Sequence, residues 1–84
     1  MSKSLGEALP EAIAKVSELI GSMEARAKEL DAMAPGAGQG ARMVLGIIKV
    51  KRDVAVAAQQ SGDVIAMIAA YQQIKPALDL ANAD

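Results

Sequence analysis

Residues 59–63 read Gln59-Gln60-Ser61-Gly62-Asp63, and the fold turns on whether a helix stops there or runs through. Gly62 can end a helix in the left-handed conformation, and Asp63 can cap the next by accepting hydrogen bonds from amides of its first turn. A break here divides the chain into three helices. The opposing signal is register: Met43, Ile47, Val50, Val54, Ala57, Ser61, Val64, Ile68, Tyr71, Lys75 and Leu78 alternate spacings of four and three straight across the segment, a heptad seam. A sharp turn has no need to keep that phase. One helix over about 41–81 would keep it, with Gly62 costing about 1 kcal/mol. The sequence therefore predicts an all-α, antiparallel bundle of three helices, with a long α-hairpin as the alternative.

Upstream, Ala34-Pro35-Gly36-Ala37-Gly38-Gln39-Gly40 puts three glycines and a proline into seven residues, which disfavours helix and suits a connection between antiparallel neighbours. Before it, Leu9, Ile13, Val16, Ile20, Met23, Ala27 and Leu30 repeat the same alternation, so a first helix is expected over about 5–33. Leu19 and Met33 broaden its apolar face, and Glu11, Lys15, Glu18, Ser22 and Glu29 lie largely away from it. Ser4 and Glu7 have capping-box spacing, and Pro10 falls inside the helix. The second helix is expected over about 41–60, with Met43, Ile47, Val50, Val54 and Ala57 on the buried seam and Val44, Ile48, Ala55 and Ala58 widening it. Few polar residues interrupt its first half, so it is expected to be the best-buried element. A turn at 61–63 leads into a third helix over about 64–81, kinked at Pro76. The chain reads as a single helical domain.

Composition limits the chemistry. Hydrophobic residues make up 52% of the 84, yet Tyr71 is the only aromatic, so the core must come from aliphatic and Met side chains on closely approaching helices. A small chain with such a core and no disulfide needs another source of stability, and a partner subunit is the simplest. There is no Cys and no His, which removes disulfides, thiol nucleophiles, histidine-ligated metal sites and a Ser-His-Asp arrangement. The formal net charge is −1, so no strong field favours a polyanion. Met1 to Ser4 lead straight into a charged amphipathic stretch, and no apolar run approaches the ~20 residues that span a bilayer. A cytoplasmic location is expected.

Several fragments invite a ligand. Gly36-Ala37-Gly38-Gln39-Gly40-Ala41 has the glycine pattern of a dinucleotide loop, but that fingerprint needs a preceding strand and Arg26 to Met33 reads as helix. Arg42, Lys49 and Arg52 can share one helical face and are weak candidate anion contacts; without aromatic stacking residues and beside Asp53, nucleic-acid binding is disfavoured. Residues 43–52 could lie on a membrane surface, but lack the Trp or Phe such helices carry. Met23, Met33, Met43 and Met67 are adaptable gap fillers, the middle two flanking the glycine loop.

The reading these observations favour is a non-enzymatic, homo-oligomeric helical protein-protein interaction module: an adaptor, assembly factor or inhibitor. Its candidate interface is Ile13, Ile20, Met23, Met43, Ile47, Val54, Ile68, Tyr71 and Leu78. No catalytic, cofactor-binding or metal-ligating residue is assigned, and the protein partner is unidentified. The alternative is a small all-helical enzyme whose Arg26, Lys28, Arg42, Lys49, Arg52 and Gln72 or Gln73 would form an anionic-substrate site between subunits, or a weak nucleic-acid or membrane-surface binder.

Overall fold

The computed structural model describes residues 4–82. Three helices follow in order: α1 (Leu5–Met33), α2 (Gln39–Ser61) and α3 (Val64–Asn82), each packed against both others. Among the described residues there is no strand.

The segment from Ser61 to Asp63 is a turn, and the single long helix over 41–81 is overturned. Gly62 takes φ 73° and ψ 5°, its amide donating to the Gln59 carbonyl at 3.3 Å. Ser61 Oγ donates to the Ala58 carbonyl at 2.7 Å and accepts from the Asp63 amide at 3.2 Å. Asp63 Oδ1 then accepts from the amides of Ile65 and Ala66 at 3.0 and 3.3 Å. Orphan groups on both sides of the break thus find partners within three residues, which is why the chain stops here despite the continuing apolar repeat.

The other connection is held by contact. Gly36 sits at φ 83°. Gly38 is buried, its amide donating to Asp31 Oδ1 at 2.9 Å, and a Cβ on it would collide with the Ala27 carbonyl oxygen. Glycine is needed there for close approach to α1, not for an unusual φ. Helix α2 starts at Gln39, slightly earlier than expected, with the Arg42 amide bonded to the Gly38 carbonyl at 3.0 Å. At the start of α1, Ser4 occupies the N-cap position but its side chain makes no cap hydrogen bond, so the capping box does not form. Its carbonyl instead accepts from Glu7 and Ala8 at 3.0 and 2.8 Å. Both Pro10 and Pro76 lie inside helices that continue past them.

The core joins Leu9, Ala12, Val16 and Ile20 of α1, Leu45, Ile48, Ala55 and Ala58 of α2, and Ala70, Ile74, Ala77 and Leu78 of α3. Leu9, Val16 and Ile74 are its largest fully buried side chains. The α1 seam faces inward as expected. Helix α2 does not: Met43, Ile47, Val50, Val54 and Ala57 are exposed, as is Val44, and the core takes Ile48, Ala55 and Ala58, expected only to widen the seam, together with Leu45. The expectation that Ile47 is buried and that α2 is the best-buried helix is therefore corrected. The core that α2 joins is rich in alanine, Ala55 and Ala58 of α2 sharing it with Ala12, Ala70 and Ala77, and small side chains are those that let helices approach closely.

Candidate interaction surface

With Leu45, Ile48, Ala55 and Ala58 turned inward, α2 presents a second apolar face outward. Met43, Ile47, Val50 and Val54 are 69%, 58%, 63% and 53% exposed, and Ala57 continues the row. No charged residue occupies the row from 43 to 57, which at 1.5 Å per residue is about 21 Å long. Scattered single apolar residues are normal on a protein surface, whereas these form a row along one helix face. Beside it, Val44, Ile47 and Lys51 of α2 line a shallow groove with Pro76 and Leu80 of α3, where Val44 and Leu80 are also exposed. Past the turn, Val64, Ile65 and Ile68 add an exposed apolar patch.

The nine candidate interface residues divide by environment. Met43, Ile47, Val54 and Ile68 are exposed. Ile20 and Leu78 lie within the protomer's own core, with Ile13, Met23 and Tyr71 packed against it. Val50, Val44, Val64, Ile65 and Leu80 were not among the nine, yet they are exposed alongside. The signal for the α2 residues was the scarcity of polar positions in the helix's first half: a helix apolar on every side has two faces to bury.

The cations behave differently. Arg42 is paired with Asp31, Lys49 Nζ lies 2.9 Å from Glu24 Oε1, and Arg52 Nε lies 3.0 Å from Asp53 Oδ1. All three candidate anion contacts thus already have a carboxylate against them. The Lys49 hydrogen bond and charge hold the Glu24 carboxyl below its usual titration range. For Asp31 the Gly38 amide does most of this, followed by Arg42. Lys28, Arg42 and Lys49 do line one groove between α1 and α2, together with Glu24; Arg26, Arg52, Gln72 and Gln73 are not among its lining residues. Among the described residues, no group of three acidic side chains is placed to hold a metal ion, and no helix is long and apolar enough to cross a membrane. No charged or polar side chain among them is buried.

No known protein family, curated protein or solved structure matches this chain.

Proposed function

We propose that the chain is a non-enzymatic, homo-oligomeric helical interaction module whose protomer is an antiparallel bundle and which acts in the cytoplasm as an adaptor, assembly factor or inhibitor. The observation that carries this reading is the outer face of α2, an uncharged apolar row on a helix whose opposite face already forms the core. The antiparallel arrangement is supported by two ion pairs: Asp31 with Arg42 and Glu24 with Lys49 step backward along α1 as they step forward along α2. The thin core supports a need for a partner subunit, because stability not supplied within one chain can come from burying the outer face between chains. The anionic-substrate alternative is the weaker reading, since Arg42, Lys49 and Arg52 each have a carboxylate within ion-pair distance.

Sedimentation equilibrium over the micromolar range tests the reading. An assembly of two or more chains is expected. A single 8.6 kDa species throughout, with a melting temperature independent of protein concentration, would overturn it.

A further inference from the structure

We propose that the outer face of α2 docks on the same face of α2 in a second copy of this chain, giving a two-fold dimer through a helix pair. The proposal rests on the oligomeric reading above and names its surface and occupant.

The spacing of the row is the first argument. Met43, Ile47, Val50, Val54 and Ala57 step by four, three, four and three. That is the period at which side chains of one helix fit lengthwise between those of another. Charge is the second. The row itself carries none; of the basic residues elsewhere on α2, Arg42, Lys49 and Arg52 are each paired with a carboxylate, which leaves Lys51 beside the row, and the whole chain has a formal net charge of −1. A second copy therefore meets little repulsion, and a partner selected by charge would find nothing on the row to read. An uncharged row presented to its own copy makes an isologous contact, the commonest closed arrangement of identical chains.

The absence of cysteine makes a direct test available. Ile47→Cys, Val50→Cys and Val54→Cys are prepared singly, with Glu29→Cys on an exposed position of α1 as the control, and oxidised mildly at micromolar concentration. At least one of the three should form a covalent dimer at least ten times faster than the control. Val50→Asp, at a position exposed in the protomer, should keep its helical circular dichroism while its sedimentation mass falls to 8.6 kDa. If the wild type is oligomeric but Val50→Asp retains that mass and none of the three cysteines outpaces the control, this surface is wrong and the oligomeric reading stands. If the wild type is a monomer throughout, both fall. Flotation of a monomeric wild type with vesicles of anionic phospholipid, abolished in Val50→Asp, would replace the second copy with a lipid surface.

Discussion

Gly62 and Gly38 are both required, for opposite reasons. At Gly62 the space a Cβ would occupy is open and the backbone is left-handed; at Gly38 the backbone is ordinary and the space is filled by the Ala27 carbonyl. Gly62→Ala is therefore a conformational test. It should cost about 1 kcal/mol, lowering the melting temperature by roughly 4–8 °C in a domain of this size. A rise would mean that the chain prefers helix through the turn, as alanine would favour. The turn was legible because Ser61, Gly62 and Asp63 each have a local role: two side-chain oxygens and a residue tolerant of positive φ. Ser4 was less legible, since a capping residue is recognised by type while its hydrogen bond depends on a rotamer that the spacing to Glu7 does not determine.

Helix α2 shows what periodicity leaves undecided. The heptad row correctly marks a helix with an apolar face, but a three-four alternation does not say whether that face meets the chain's own helices or something else. The inward face of α2 is Leu45, Ile48, Ala55 and Ala58; three of these were read as the edge of the seam, because the heptad row beside them gives the stronger periodic signal. The two faces are distinguished by paired substitutions. Ile20→Asp, at a site only 4% exposed, buries an unpartnered carboxylate and should unfold or destabilise the protomer by several kcal/mol. Ile47→Asp should leave the protomer's helicity intact; an equal loss of helical signal in both variants would mean that both residues are core. The contact between α1 and α2 also predicts an acid response. Glu24 and Asp31 have carboxyl pKa values lowered in the fold by Lys49, Gly38 and Arg42. Their contribution is thus fully present above the ordinary carboxylate range and lost as pH falls through the lowered values. The melting temperature should fall modestly below roughly pH 4, and less in a Glu24→Gln, Asp31→Asn double variant. An equally steep acid loss in that variant would place the sensitive groups elsewhere.

Across the whole molecule, helical class and the two breaks could be read from the chain because they depend on neighbours in sequence. The alternative at Gly62 was settled by hydrogen bonds local to it. The candidate site was only partly legible: Met43, Ile47, Val54 and Ile68 are exposed, whereas Ile20 and Leu78 were consumed by the protomer's own core. Which of several apolar faces a bundle keeps for itself depends on the mutual fit of three helices, and that is a property of no single one.

The alanine-rich core, with a row of aliphatic side chains left in water, also determines how the protomer responds to temperature and denaturant. Both the heat capacity of unfolding and the denaturant slope grow with the apolar surface newly exposed, and this protomer has less left to expose. Monomeric Val50→Asp should therefore unfold with a heat-capacity change below the roughly 1.0–1.3 kcal/mol/K that average values give for a chain of this length. Its urea slope should lie near or below about 1 kcal/mol/M, the low end for small proteins. Calorimetry returning the average value or more would mean that the folded variant has closed over its outer face. With a small heat-capacity change, the protomer's stability curve is shallow. Pairing through the apolar row, by contrast, removes that surface from water and carries the negative heat-capacity change of such burial, so temperature acts on the number of chains held together as well as on the fold of each.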